Sequence, residues 1–333
     1  MKVLVTGGAG YVGCGLIRNL LSLGHEVTCM DSLLFGGESL LGFWHHPGFS
    51  FRKIDISNTV AVQEDLRNSG YEVVVHLAAI VGDPACKMYP DAARQTNLGA
   101  SIALIDACRS NGVNRFIFAS TCSNYGKMES SEDFVTEESI LNPVSLYAEL
   151  KVSVEKYLLK EIPKDQFFCP TVLRFSTVYG LSPRMRFDLT VNEFSKELAL
   201  GRRLEVFGEQ FWRPYCHVRD FATAFLAAMN APEARVAYSV FNVGDSSENY
   251  RKRDIVEKLL EVMPSAKIAY VKKDEDPRDY RVDFTKIHKE LGFKITSRVA
   301  DGIGETIQVI KDHVITDPDN QKYYNIPHER PAY

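Results

Sequence analysis

Tyr147 and Lys151 stand four residues apart, a spacing that sets a phenol and an ammonium on one face of a helix. A free phenol titrates near about 10, too high for a general base at neutral pH, and a neighbouring cation lowers it. Such a pair can take the proton of a carbinol when a positively charged nicotinamide ring lies beside it. Thr121 closes the apolar run that starts at Phe116 and supplies a hydroxyl to orient the substrate oxygen; Ser120 is the near alternative. The partner of this chemistry is written at the start of the chain, in Thr6-Gly7-Gly8-Ala9-Gly10-Tyr11-Val12-Gly13. Gly7, Gly10 and Gly13 give the spacing GxxGxxG, which allows a tight turn, close approach to a pyrophosphate and close helix–strand packing. The helix opening at Tyr11 and Val12 then points free N–H groups and its positive end at the phosphates. Asp31, 18 residues beyond Gly13, can accept from both adenosine-ribose hydroxyls and would repel a 2′-phosphate. Ser32 follows it, and no Arg or Lys occurs between Asp31 and Arg52, so NAD is favoured over NADP.

These residues need a frame. β-branched runs predict strands over 2–6, 26–30, 51–54, 73–76, 115–119 and 171–175, with amphipathic helices over 11–22, 59–69, 91–110 and 145–159. Strands alternating with helices of this length predict a Rossmann-like, doubly wound parallel sheet of the α/β class, because each crossover must return over a face. On this frame Asp55 and Ile56 follow the third strand and are placed for the adenine edge, although an Asp there also suits a helix cap. Leu77, Ala78 and Ala79 follow the fourth strand as small residues beside the cofactor, and His76 is a packed strand residue. Beyond residue 176 the rhythm loosens. Helices are expected over 188–200, 218–229, 251–262 and 299–313, and strands over 204–207, 239–243 and 267–271. The division is a cofactor-binding Rossmann domain over 1–176, rejoined near 218–243, and a smaller interleaved C-terminal α/β substrate lobe over 177–333. The polar tail from Asp317 is expected on the surface.

With 45% hydrophobic and 25% charged residues the chain has the balance of an ordinary globular protein. A net charge of −4 gives no general attraction to nucleic acid or anionic lipid, so an anionic ligand must be held by local groups. No apolar run reaches the ~18 residues needed to span a membrane. Glycines stand where the core of a secretory leader would continue, so the expected location is the cytoplasm. Seven scattered cysteines, an odd number without a CxxC pair, fit small core residues in a reducing compartment, and no metal site is expected. His45 and His46 have no partner at a metal-ligand spacing.

Taken with Leu173-Arg174-Phe175, Val178-Tyr179-Gly180 and Arg213…His217-Val218, these motifs resemble the extended short-chain dehydrogenase/reductases that modify nucleotide sugars, over nearly the whole chain. The resemblance implies an enzyme that oxidises a sugar hydroxyl with tightly held NAD, acts on a nucleotide-diphosphate sugar, and forms a homodimer. It also implies that Thr121, Tyr147 and Lys151 are catalytic, and that Tyr147 and Lys151 contact the cofactor. In dehydratases and decarboxylases of this kind the second residue after the Thr is a Glu; in 3,5-epimerases it is a Cys. Here it is Ser123, a poor carbon base, preceded by Cys122, read as a small buried thiol. Hydride-only chemistry at one carbinol is therefore favoured, with 4-epimerisation ahead of a dehydrogenase or ketoreductase that releases product after one transfer. A non-catalytic NAD-binding protein is disfavoured because Tyr147 and Lys151 are both kept. On the substrate side Arg213 matches the phosphate-binding Arg, Arg278 is expected in the same part, Asn192 is a possible phosphate donor, and Ser123 faces the sugar. The segment 80–87, with Asp83 and Lys87, is expected to line the sugar site; Arg184, Met185 and Arg186 form a basic insertion without an assigned role. His217 is expected to cap the helix after it.

Overall fold

The computed structural model describes residues 1–67, 69–128, 133–272 and 278–326. Strands β1 (Lys2–Thr6), β2 (Glu26–Asp31), β3 (Phe49–Lys53), β4 (Val73–His76), β5 (Arg115–Thr121) and β6 (Cys169–Phe175) alternate with helices α1 (Gly13–Ser22), α2 (Thr59–Arg67), α3 (Asp83–Met88), α4 (Pro90–Ala93), α5 (Ser101–Ser110) and α6 (Leu146–Lys156). Beyond them come β7 (Thr177–Tyr179), α7 (Thr190–Ala199), β8 (Leu204–Phe207), β9 (Trp212–His217), α8 (Val218–Asn230), α9 (Glu233–Val236), β10 (Ser239–Val243), β11 (Asn249–Arg251), α10 (Lys252–Val262), β12 (Ile268–Val271), α11 (Thr285–Leu291) and α12 (Val299–Lys311). Seven strands form one parallel sheet in the order β10-β6-β5-β4-β1-β2-β3. The strand period of two divides its side chains between two cores. Val3 and Val5 of β1 join Leu16, Ile17 and Leu20 of α1 and Phe221 and Phe225 of α8 on one face. Leu4 joins Leu66, Leu104, Ile105, Val154 and Leu158 of α2, α5, α6 and the turn after it on the other. The expected return of the chain is seen in β10, which pairs in parallel with β6 at the sheet edge.

The small sheets β11-β9-β7 and β12-β8 carry the rest of the second half. β9 was not expected as a strand: Trp212–His217 contains a proline and lacks polar alternation because nearly all of it is buried. Nor does one helix run over 91–110. The backbone passes from α4 through a π-helical stretch, Arg94–Ala100, before α5. Within that stretch Asn97 accepts from Ile80 N–H and donates to Ile80 C=O, both at 2.8 Å, which ties the post-β4 loop to the helix. A π-turn often marks a functional site for this reason, since the extra residue re-aims a side chain. The tail also departs from expectation. Asp319 pairs with Lys196 (3.0 Å) and Arg202, and Tyr324 is buried with its hydroxyl accepting from Lys196 at 2.9 Å, so 317–326 is clamped to α7 instead of lying free on the surface. The final residues 327–333 lie outside the described residues.

Candidate functional site

β1 and β4 are neighbours, while the chain leaves β1 toward β2 and leaves β4 toward β5. At such a reversal the carboxyl ends of the strands open a crevice for a ligand. Gly7 turns there with φ +70°, and a Cβ on it would lie 2.7 Å from the Ala78 amide nitrogen, so the glycine loop and the post-β4 segment touch backbone to backbone. A Cβ on Gly13 would lie 2.5 Å from Gly7 C=O. The first turn of α1 has neither a side-chain cap nor an acidic residue, leaving its N–H end open to an anion. Asp31 stands over the loop, one carboxylate oxygen accepting from Ala9 N–H (3.0 Å) and the other from Leu33 N–H (2.8 Å). Burial pushes its carboxyl up, and the two amides work against that. Ser32 is exposed beside it; Asp55, also exposed, holds a turn by accepting from Ser57 N–H at 2.8 Å, and Ile56 is buried under it. An open helix end, a carboxylate over the glycine loop and the small Ala78 and Ala79 fit a dinucleotide.

The next strand along the sheet carries Thr121. Thr121 ends β5 and its Oγ1 accepts from Ser123 N–H at 3.1 Å, opening a 3-10 turn over Cys122–Tyr125. Ser120 points the other way and donates to buried Glu155, which removes it as the alternative. α6 packs on β5 and on this turn. From α6, Lys151 donates to Ala119 C=O at 2.7 Å, with its Nζ 4.6 Å from the Phe118 ring centroid and 5.9 Å from that of Tyr147. Burial lowers Lys151 to about 8. Burial also raises the Tyr147 phenol well above its ordinary value; Cys86 and Asp83 add to the rise and Arg186 opposes it. The protein alone therefore keeps Tyr147 as the neutral phenol, and the sequence expectation of a lowered phenol requires positive charge brought to the ring. Behind the site Glu155 of α6 is forked by Arg174 of β6 at 3.1 and 2.7 Å, and Arg174 donates to the Tyr125 hydroxyl at 2.9 Å. Cys122 is fully buried with its thiol pushed far up, an inert core group.

Two residues beyond Thr121, the Ser123 hydroxyl lies 3.4 Å from the hydroxyl of Tyr280. Arg213 is buried, its guanidinium 5.4 Å from the Tyr280 ring centroid and one nitrogen donating to Trp212 C=O at 2.8 Å. Arg278 pairs with Asp83 of α3 at 2.8 Å, and Asp83 also accepts from Ser145, the cap of α6, at 2.7 Å. Thus Ser123, Arg213 and Arg278 gather around Tyr280, and the 80–87 segment meets them through Asp83. Asn192 does not join them. It is fully buried, accepting from Gly180 N–H (2.8 Å) and donating to Arg186 C=O (2.9 Å) and the Tyr11 hydroxyl (3.1 Å), so its amide is a clamp between loops and not an open phosphate donor. His217 caps α8 as expected, accepting from Arg219 N–H at 3.1 Å, while its other nitrogen meets Glu305 at 2.7 Å. Tyr280 and the Glu155–Arg174 fork were not singled out from sequence. Tyr280 could have been, as the aromatic end of the segment that carries Arg278. The fork joins residues remote in the chain and had no local signal.

The family model described as the NAD dependent epimerase/dehydratase family matches residues 3–244. The chain belongs to that family. Among its relatives, a UDP-glucose 4-epimerase of Corynebacterium glutamicum is 30% identical, covering 88% of this chain and 90% of the relative. A dTDP-glucose 4,6-dehydratase of Streptomyces griseus is also 30% identical, over 93% and 94% of the two chains. The structure of a UDP-glucose 4-epimerase from Thermotoga maritima, solved with UDP-glucose, superposes with a TM-score of 0.83 at 27% identity, over 94% of this chain and all of that one. As a family member the chain is an NAD-dependent nucleotide-sugar enzyme. No helix among the described residues is long and apolar enough to cross a membrane, and no group of His, Cys, Asp and Glu among them could hold a metal.

Proposed function

We propose that this protein is a nucleotide-sugar 4-epimerase. The observation that carries the reading is Ser123: beside Thr121, where a carbon base would be needed for dehydration, stands a hydroxyl facing another hydroxyl, that of Tyr280. Neither group removes a proton from carbon at neutral pH. NAD, when bound, supplies the hydride acceptor and then the donor. Thr121 orients the sugar hydroxyl, and Tyr147 takes its proton and later returns it. Lys151 holds the nicotinamide ribose, and the positive ring of bound NAD would bring the charge that favours the Tyr147 phenolate. Arg213 and Arg278 hold the diphosphate of the sugar nucleotide, and Ser123 contacts the sugar. The UDP-glucose 4-epimerases among the relatives support a nucleoside-diphosphate hexose as substrate.

NMR of UDP-, GDP-, dTDP- and CDP-sugars incubated with the protein tests this. The expected product is inverted at C4 without net NADH, and Tyr147→Phe should lower kcat by about 10²-fold or more, the usual worth of a positioned acid–base group. Stoichiometric NADH with a released keto sugar would replace epimerase by dehydrogenase. Turnover unchanged in Tyr147→Phe would overturn the mechanism.

A further inference from the structure

The basic insertion at 184–186 contains a buried cation with two open hydrogen-bond donors. Arg184 is 7% exposed, and its Nε and Nη2 have no hydrogen-bond partner among the described residues. Its guanidinium lies 4.3 Å from the ring centroid of Phe35, in the loop four residues beyond Asp31. The nearest cation, Arg186, is already forked on Asp188 at 2.9 and 2.8 Å. Asp188 acts on Arg184 only at a distance, being taken up by Arg186, so two N–H donors of a buried cation stay open, which is costly unless a ligand meets them.

The same loop is stitched to the glycine turn. Ser182 donates to Tyr11 C=O at 2.7 Å and lies 3.2 Å from the Cys14 thiol in the first turn of α1; the Tyr11 hydroxyl donates to Gly180 C=O, and Asn192 holds Gly180, Arg186 and Tyr11 together. Arg184 is therefore held between the uncapped end of α1 and the loop after Asp31. The sugar-nucleotide arginines, Arg213 and Arg278, gather elsewhere, around Tyr280.

We infer that Arg184 is a diphosphate-binding residue of the cofactor cleft, its fork of N–H groups meeting the NAD diphosphate opposite the N-terminus of α1. A planar guanidinium suits this part because it offers paired donors to phosphate oxygens and stacks on an aromatic ring. The Phe35 ring lies against the guanidinium, and the diphosphate would accept from the donors that the folded chain leaves open. The inference rests on the dinucleotide cleft and not on the 4-epimerase reading, so the two fail separately.

Calorimetric titration of protein stripped of dinucleotide, with NAD, ADP, adenosine and adenosine 2′,5′-bisphosphate as probes, tests it. Arg184→Met should weaken NAD and ADP by about 10- to 100-fold and leave adenosine unchanged. The melting temperature of the stripped variant should be no lower than that of the parent, because a buried cation with open donors has been removed. Arg184→Lys, which keeps the charge without the fork, should lose less ADP affinity than Arg184→Met and guards against a Met variant that does not fold. ADP binding unchanged in both variants would overturn the assignment. So would an equal loss for ADP and adenosine, which would make Arg184 a support for Phe35. A loss confined to the 2′,5′-bisphosphate would place the contact at the ribose.

Discussion

Lys151 carries its positive charge under constraint. It is 4% exposed, it donates to the neutral Ala119 carbonyl, and burial brings it to about 8. Because the folded chain then binds fewer protons than the unfolded chain between about 8 and the ordinary lysine value near about 10.4, stability rises with pH across that window. In NAD-free protein, wild type should gain roughly 2–3 kcal/mol relative to Lys151→Met between pH 7.5 and 10, read by urea unfolding at each pH. A difference that stays flat would mean that Lys151 is not desolvated as the structure has it. The raised phenol of Tyr147 does not interfere, since a group titrating above its ordinary value alters stability only above about pH 10. Residue types and spacing were enough to pick out Tyr147 and Lys151, since i, i+4 geometry is local. That the phenol is neutral in the chain alone was not legible, because desolvation depends on Cys86, Asp83 and the packing of other segments.

At the scale of elements, three pieces must hold register for the hydroxyl of β5 to meet the phenol of α6. The Glu155–Arg174 fork binds α6 to β6, and through Ser120 and Asn124 it reaches β5 and the turn after it. Removing one member strands the other as an unpaired buried charge. Glu155→Ala should therefore destabilise by about 3–5 kcal/mol, whereas Glu155→Leu/Arg174→Met should recover much of the loss; chemical denaturation of the three proteins checks this. If the double variant is as unstable as the single one, the fork contributes through geometry that apolar packing cannot replace. The helices of the first half were legible because each turns one apolar stripe to the sheet. The π-turn at Arg94–Ala100 was not. Within it Asn97 reaches Ile80 across the post-β4 loop, a contact between segments that no local period records.

Across the whole molecule, polar clamps between distant segments hold the second half together alongside its apolar faces. One is the tail: Asp319 sits between Lys196 and Arg202, and these hydrogen bonds hold its carboxyl well below the usual range. A depressed carboxyl contributes stability that is present above its unfolded value near about 4 and lost as pH falls through the folded one. Asp319→Asn should lower the melting temperature at pH 7, and the gap from wild type should narrow steadily below pH 4. A gap that is constant with pH would show that the tail is held by Tyr324 and its packing alone. The polarity of this segment had suggested a surface strand of chain, since its partners lie more than a hundred residues away.

The sequence by itself determined the alternation of strands and helices, the glycine turn with Asp31, and the residues able to exchange a proton and a hydride, because these depend on near-neighbour spacing and side-chain chemistry. Only the tertiary structure decided which polar groups are already spent and which are left open. Asn192 is closed into a clamp, Ser120 is turned into the core, and Arg184 is buried with two of its donors open. Burial and pairing are properties of segments brought together from across the chain, and a linear pattern does not carry them.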